Sequence, residues 1–297
     1  MLAALAANAG IAAAKFVGFL ISGSSAMLAE SVHSVADTSN QALLLFGQRA
    51  ARKQADALHP FGYGRSRYFW SFVVALVLFT LGSVFALYEG YRKVVHRGDL
   101  NSPVVALVIL LVAMALEAFS FRTAVVESRP LKGSGSWWRF IRNSRNPELP
   151  VVLLEDSGAI VGLLFALAGV GLTVATGDPV WDGIGTLGIG VLLGLIALIL
   201  MVEMHSLLIG EGATIAQAQA IRSALEATEH VDRVIHLRTQ YLGPDEMLVV
   251  AKIAVGPHVE VATVATTINT AEANIRAAVP AARMIYLEPD LDRKVSR

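Results

Sequence analysis

The sequence predicts an α-helical membrane domain followed by a small α+β domain. Hydrophobic residues make up 55% of the chain and charged residues 16%, whereas soluble proteins average about 45–50% and about 25%. Six apolar stretches reach the roughly 20 residues that are needed to cross a hydrocarbon core about 30 Å thick. Beyond about residue 208 the pattern becomes mixed polar and apolar. We therefore expect a membrane domain over residues 1–208 and a second domain over residues 209–297.

The six expected spanning helices lie near residues 3–22, 25–47, 69–91, 103–122, 151–175 and 180–206. The first stretch lacks the basic start and the cleavage site of a signal peptide, so we expect it to be retained as a spanning helix. In the fifth and sixth stretches, Gly158 with Gly162 and Gly190 with Gly194 have the spacing of small residues that lets helix backbones approach closely.

Basic residues are concentrated in two of the connecting segments. Residues 47–68 contain five lysines and arginines, and residues 122–150 contain six. The segments on the opposite side carry none, apart from Arg92, Lys93 and Arg97 after the third stretch. Because basic loops face the cytoplasm in most membrane proteins, we expect both segments and both chain termini to be cytoplasmic.

The second domain has the periodicity of a soluble α+β fold. We expect helices over residues 215–229 and 261–278, and strands over residues 231–241, 246–255 and 282–288. The order αββαβ fits a small open-faced sandwich of helices on one sheet.

Ionisable side chains, which are costly inside a membrane, occur in the second and fifth stretches. In the second, His33 and Asp37 are four residues apart and share one helix face, with Glu30 near the same stripe. In the fifth, Glu155 and Asp156 supply carboxylates at a comparable depth. Together these residues predict a buried metal site between two helices.

The chemistry of these side chains narrows the choice of ion. Imidazole nitrogen and carboxylate oxygen suit zinc and neighbouring divalent ions, and four such ligands complete a tetrahedral site. Calcium or magnesium would require more oxygen ligands. The alternative is a histidine–aspartate hydrogen bond that only joins two helices. The chain has no cysteine, which excludes thiolate ligands and cysteine nucleophiles, and its formal net charge of zero gives no reason to expect a nucleic-acid partner.

Several motifs in a fixed order resemble the cation diffusion facilitator family. They are Gly23-Ser24-Ser25-Ala26, His33-x-x-x-Asp37, His59-Pro60-Phe61-Gly62-Tyr63-Gly64-Arg65, Asp156-Ser157-Gly158, His236-Leu237-Arg238-Thr239 and Gly243-Pro244. The resemblance covers nearly the whole chain and is strongest to the subgroup that contains the mitochondrial zinc transporters. It implies a metal–proton antiporter with six transmembrane helices and a cytoplasmic ferredoxin-like domain that holds a homodimer together.

By that resemblance, His33, Asp37 and Asp156 are three of the four metal ligands of the transport site. Family members usually carry histidine or aspartate four residues before the fifth-helix aspartate, and here that position is Val152. The identity of the fourth ligand is therefore open at this stage.

Three candidates can replace the fourth ligand. Glu155 is one, although as the neighbour of Asp156 it points about 100° away on an ideal helix. The others are Asn40 and a water molecule, and a rotation of the fifth helix would also change which side chains face the site.

The resemblance also suggests a partial metal site in the loop after the second stretch. Asp56 and His59 match ligand positions there, whereas Tyr63 stands where some family members have histidine. His59 can equally well be a structural residue that forms hydrogen bonds.

In the second domain the resemblance argues against a binuclear metal site. His236 matches a ligand position, but Tyr286 and Glu288 replace the histidine and aspartate expected in the last strand. We interpret His236 as a structural residue.

The sequence therefore predicts a transporter of divalent transition-metal ions that is not an enzyme. We expect zinc, or else manganese, iron or cobalt, to leave the cytoplasm by alternating access in exchange for protons. The metal is the substrate, no organic cofactor is expected, and the partners are membrane lipid and a second copy of the chain. An ordinary histidine has a pKa of about 6.5, and metal ligands must be deprotonated, so protons and metal compete. The alternative is a membrane metal sensor or scaffold that does not transport.

Overall fold

The computed structural model describes residues 2–96, 98 and 100–291, without the side chains of residues 2–9, 131 and 143. Arg97, one of the basic residues considered for the orientation, lies outside the described residues. The chain divides into two compact units. The first contains the chain up to Arg49 together with Phe69–His205, and the second contains Ala50–Tyr68 together with the chain from Ser206 onward. The sequence did not predict that the loop Ala50–Tyr68 groups with the C-terminal part.

Each of the six apolar stretches forms a helix. The helices before residue 210 are α1 Leu2–Ser22, α2 Ser25–Ala51, α3 Ser66–Val95, α4 Pro103–Lys132, the short α5 Trp137–Asn143, α6 Glu148–Thr176 and α7 Val180–Ile209. Proline at the first position of α4 has its φ angle preset for a helix. Gly177, with a φ of 73°, ends α6 in the left-handed conformation that glycine adopts without strain.

Among the described residues, four helices are long and apolar enough to cross a membrane: α3, α4, α6 and α7. In α1 the described apolar segment is the shorter Gly10–Ser22. Helix α2 has 27 residues, but its polar stripe lowers its hydropathy. The six predicted spans are thus confirmed for four helices, and spanning by α1 and α2 stays a prediction.

Helices α3 and α7 approach each other closely through small residues. A π-helical segment, Leu78–Val84, interrupts α3, and within it the Ser83 hydroxyl donates a hydrogen bond of 2.8 Å to the Gly190 carbonyl. A Cβ atom on Gly190 would lie 2.8 Å from the backbone nitrogen of Leu87. One on Gly194 would lie 2.7 Å from Ser83 Oγ. The predicted close packing at this glycine pair is confirmed.

A buried aspartate of α7 fixes the start of α2. Asp182 accepts hydrogen bonds from the Ser24 hydroxyl at 2.6 Å and from the Ser25 backbone N–H at 2.7 Å. The Lys93 ammonium lies 3.9 Å from the same carboxylate. A negative charge at a helix N-terminus satisfies otherwise unpaired N–H groups and favours the helix dipole. This contact positions the polar stripe of α2 at one end.

The C-terminal part of the second unit contains two helices and a three-stranded sheet. Its elements are α8 Ile215–Glu226, β1 Arg233–Gly243, β2 Glu246–Ala254, α9 Val261–Ala278 and β3 Ala282–Asp290. The sheet order is β1-β2-β3, with β1 and β2 antiparallel and β2 and β3 parallel. The predicted αββαβ order is confirmed, whereas the ferredoxin-like assignment stays a prediction. Helix α8 ends at Glu226, earlier than expected, because the chain turns toward β1 through His230, which has a φ of 64°.

The contrast between two helix glycines gives a test of the α3–α7 packing. We expect Gly190→Ala to lower the melting temperature of the purified protein, because its Cβ would overlap Leu87. Gly171→Ala in α6 is the matched control, since its Cβ would have no neighbour within 4 Å. In a helix interior alanine is favoured over glycine by about 1 kcal/mol, so the control should be neutral or slightly stabilising. Equal melting temperatures for the two variants would contradict the packing described.

Candidate metal-ion site

A small cavity of about 30 Å³ lies among α1, α2, α4 and α6 in the first unit. Its lining side chains are Ile11, Ser34, Asp37, Gln41, Glu117, Ser120, Val152, Glu155 and Asp156. A cavity needs about 10–15 Å³ to hold one water molecule, so this one accepts a water molecule or a small ion. Two of the three predicted transport ligands, Asp37 and Asp156, thus face one space.

The third predicted ligand, His33, does not line the cavity but lies next to Asp37. Its side chain is 1% exposed, and its Nε2 atom lies 3.5 Å from Oδ2 of Asp37. In the part of the chain that the structure describes, neither ring nitrogen of His33 has a hydrogen-bond partner, and neither does Oδ1 of Asp37. Buried polar atoms are nearly always paired, so these atoms indicate a place where a partner binds.

Helix α6 brings both of its neighbouring acids to the cavity. Glu155 accepts a hydrogen bond of 2.6 Å from the Asn40 side-chain amide, and Asp156 accepts one of 3.2 Å from the Ser120 hydroxyl. Val152, at the position of the missing ligand, lines the same cavity. Glu155 and Asp156 both line the cavity, and metal binding by Glu155 stays a prediction.

The acidic side chains line the cavity but do not converge on one point. Within the described residues, no three histidine, aspartate or glutamate side chains come close enough together to hold one metal ion. In this conformation the candidate ligands His33, Asp37, Glu155 and Asp156 are neighbours, and they do not form a finished coordination sphere.

Sequence reasoning missed a buried lysine beside this cavity. Lys15 of α1 is 0% exposed, and its ammonium lies 3.0 Å from Oε2 of Glu30 and 2.9 Å from the Ser34 hydroxyl. Glu117 of α4 lies 3.8 Å away. The other Glu30 oxygen would be 2.7 Å from a Cβ atom on Gly162, so a glycine is needed there. A lone lysine in an apolar stretch was the available signal, because an isolated charge inside a membrane requires a partner.

A larger cavity of about 330 Å³ adjoins the first between α4 and α6. Its lining side chains are Ser120, Thr123, Ala124, Glu127, Ser128, Glu148, Leu149, Val152 and Asp156. Ser120, Val152 and Asp156 line both cavities. The larger one leads along α6 from Asp156 to Glu148, where that helix begins.

In the loop, the predicted ligands Asp56 and His59 are already engaged with other groups. Asp56 accepts hydrogen bonds from the Tyr63 hydroxyl at 2.7 Å, from the His59 backbone N–H at 2.8 Å and from the Lys53 ammonium at 3.2 Å. These contacts, that from Tyr63 foremost, hold the pKa of Asp56 well below its usual range. The His59 ring nitrogen Nδ1 lies 3.4 Å from Asp56. Metal binding by this pair stays a prediction, and it would require Lys53 to move.

A lysine also pairs with the acid of the last strand. Lys252 of β2 stands opposite His236 in β1 and opposite Glu288 in β3. Its ammonium lies 2.8 Å from Glu288 and 3.1 Å from Asp290, and the hydrogen bonds to these acids raise the pKa of Lys252. Glu288 therefore has a cationic partner within the protein.

Comparison with known proteins gives the family. Residues 1–209 match the profile described as the cation efflux transmembrane domain. The chain belongs to the cation efflux family. This match covers all the helices that line the two cavities, and it makes the protein a membrane protein with transporter relatives.

Three relatives illustrate the range of the family. The proton-coupled zinc antiporter SLC30A9, mitochondrial, of Homo sapiens is 33% identical over 75% of this chain and 39% of its own length. Metal tolerance protein C4 of Arabidopsis thaliana is 31% identical over 80% of this chain and 53% of its own. Magnetosome protein MamB of Magnetospira sp. (strain QH-2) is 24% identical over 80% of this chain and 76% of its own. The chain thus spans about half or less of the length of the first two relatives.

Proposed function

We propose that the protein transports a divalent transition-metal ion, zinc first among them, out of the cytoplasm in exchange for protons. The observation that carries this proposal is the buried cavity where Asp37, Glu155 and Asp156 meet beside His33. Carboxylate and imidazole are ligands for zinc, manganese, iron and cobalt. Membership of the cation efflux family and the name of the Homo sapiens relative, a proton-coupled zinc antiporter, support the same function.

The metal is proposed to bind His33, Asp37 and Asp156, with Glu155 as a further donor. The cavity that Asp37, Glu155 and Asp156 line is large enough for one ion, and coordination would require these side chains and that of His33 to move toward it. Binding would give one of the unpaired ring nitrogens of His33 and the unpaired oxygen of Asp37 a partner. This gain favours a bound cation over the empty cavity.

The larger cavity supplies the proposed cytoplasmic entrance. It connects Asp156 with Glu148 at the start of α6, next to the basic segment 122–150 that we place in the cytoplasm. Alternating access then requires the helices to close this path and open one on the far side. Protons entering from that side would release the metal, because a protonated carboxylate or imidazole no longer binds it.

The remaining parts of the proposal concern assembly. Both termini are proposed to be cytoplasmic, and the C-terminal α+β unit is proposed to join two copies of the chain. No step of this function needs an organic cofactor, a nucleic acid or an enzymatic reaction, and the metal is the substrate. Isothermal titration with zinc, manganese, iron and cobalt would identify the preferred ion.

The second candidate function is a membrane metal sensor or scaffold without transport. It is favoured by the absence, among the described residues, of three ligands gathered at one point and by Val152 at the missing ligand position. Flux into proteoliposomes distinguishes the two, because a sensor binds metal without releasing it into the lumen.

The first test of transport removes a candidate ligand. We expect Asp37→Asn and Asp156→Asn each to lower zinc flux into proteoliposomes at least about tenfold, since even the loss of a group that only supports a metal ligand typically costs about 10–100-fold in affinity or activity. Asp178→Asn is the control: it lies outside the cavity, caps the start of α7 through a hydrogen bond to the Val180 N–H, and asparagine can replace it there. Normal flux through folded Asp37→Asn protein would disprove the site.

The exchange of protons for metal is tested with a pH gradient. We expect acidification of the vesicle lumen to accelerate zinc entry, because protons compete with zinc for the ligands on the release side. Each entering zinc ion should raise the luminal pH, as reported by a trapped dye. A flux that follows the zinc gradient alone, with no change in luminal pH, would exclude antiport.

The position of Val152 predicts a gain of function. Because Val152 lines the cavity with Asp37 and Asp156, we expect Val152→His to tighten zinc binding by about tenfold or more and to narrow the range of metals carried. Val152→Leu is the control, since it changes the size of the side chain without adding a ligand. If the histidine variant binds zinc no better than the leucine variant, residue 152 does not reach the bound ion.

A further inference from the structure

Lys15, the buried lysine of α1, interacts only weakly with Glu117, one of the acids that line the cavity. The Lys15 ammonium is 3.0 Å from Glu30 and 2.9 Å from the Ser34 hydroxyl, which are distances of full hydrogen bonds. Glu117 lies farther away, at 3.8 Å, which permits attraction without a hydrogen bond. Lys15 therefore keeps its closest charged and polar partners if Glu117 moves.

Glu117 is an acid of the cavity that no hydrogen bond fixes among the described residues. Its side chain is 15% exposed and faces the same space as Asp37. In the described part of the chain Glu117 makes no hydrogen bond, whereas Glu155 and Asp156 each accept one from a neighbouring helix. Glu117 lines the cavity together with Asp37 and Asp156, and ionised carboxylates that share a small buried space repel one another. A cation in the cavity would relieve this repulsion.

An independent observation indicates that a cation belongs there. His33 is 1% exposed and neither of its ring nitrogens is hydrogen-bonded within the described residues, and the adjacent Asp37 has an oxygen without a partner. Asp37 lines the cavity from α2 with His33 next to it, and Glu117 lines the cavity from α4. An ion between Asp37 and Glu117 would have donors from α2 and α4, and Asp156 of α6 lines the same cavity.

Building on the proposed function, we propose that Glu117 is a further ligand of the transported ion and that Lys15 competes with the ion for it. In the metal-free protein Lys15 attracts Glu117. When metal enters, the Glu117 carboxylate exchanges the ammonium for the ion, and Lys15 stays paired with Glu30. When metal leaves, Lys15 draws Glu117 back. Glu117 thus supplies the donor that Val152 cannot. Competition from Lys15 for Glu117 limits the affinity of the site for the ion.

Cobalt(II) and zinc titrations of the full-length purified protein test the role of Glu117. We expect Glu117→Gln to weaken cobalt binding by about tenfold or more and to reduce the visible absorption of bound cobalt, because a ligand is lost. Glu203→Gln is the matched control: Glu203 is 13% exposed, pairs with Arg142 at 3.2 Å and does not line either cavity. In Val152→His protein, which has a substitute ligand, Glu117→Gln should have a smaller effect.

Substitution of Lys15 should have the opposite effect. We expect Lys15→Met to tighten cobalt and zinc binding several-fold, because it removes the competing ammonium, and we expect no gain in Lys15→Met/Glu117→Gln protein. Lys15→Met leaves Glu30 buried without its cation and can impair folding, so Lys15→Met/Glu30→Gln, which removes both charges, provides the same test in a balanced background.

These titrations distinguish a failure of the Glu117–Lys15 proposal from a failure of the proposed transport function. If Glu117→Gln leaves the cobalt affinity and spectrum unchanged, or if both Lys15 variants weaken binding as Glu117→Gln does, the pair is only structural and the inference is wrong. If the parent protein binds neither cobalt nor zinc, or if Asp37→Asn binds them normally, the proposed function itself fails.

Discussion

A charge placed among apolar helices is stable only when another charge or a polar group is paired with it, and the membrane unit is organised around this constraint. Lys15 and Glu30 are both fully buried, and their ion pair of 3.0 Å joins α1 to α2. Removing one partner of a buried pair typically costs about 3–5 kcal/mol, because the other charge is left without compensation. The pair therefore fixes which faces of the first two helices meet.

The packing of the other helices follows from this pair. Gly162 of α6 has no side chain where Glu30 lies, so α6 can approach α2 closely enough for Asp156 to share a cavity with Asp37. Asp182 holds the start of α2, one to two turns before Glu30, through the backbone of Ser25. These contacts place the N-terminal part of α2, and farther along the helix its polar stripe lines the cavity with residues of α4 and α6.

The sequence predicted the elements better than the contacts between them. The stripe of His33 and Asp37 and the acids of α6 could be recognised because charge is rare in spanning helices. That Glu155 and Asp156 both line the cavity could not, because it depends on which helices surround α6 and not on helix periodicity. Lys15 was visible as a lone charge, but its partners lie on α2 and α4, and one sequence does not show which helices are neighbours.

The acids of this protein differ in whether the protein itself supplies a cation. Asp56 and Glu288 each have a lysine ammonium within hydrogen-bonding distance, so a metal would have to displace that lysine. In the membrane unit the one described lysine beside the cavity, Lys15, is hydrogen-bonded to Glu30, and Asp37 keeps an oxygen without a partner. A site that must release its ion cannot be neutralised permanently by a fixed charge. The cavity acids Asp37, Glu155 and Asp156 have no lysine or arginine at ion-pair distance among the described residues and therefore suit a mobile cation, whereas the lysine-paired acids suit stable structure.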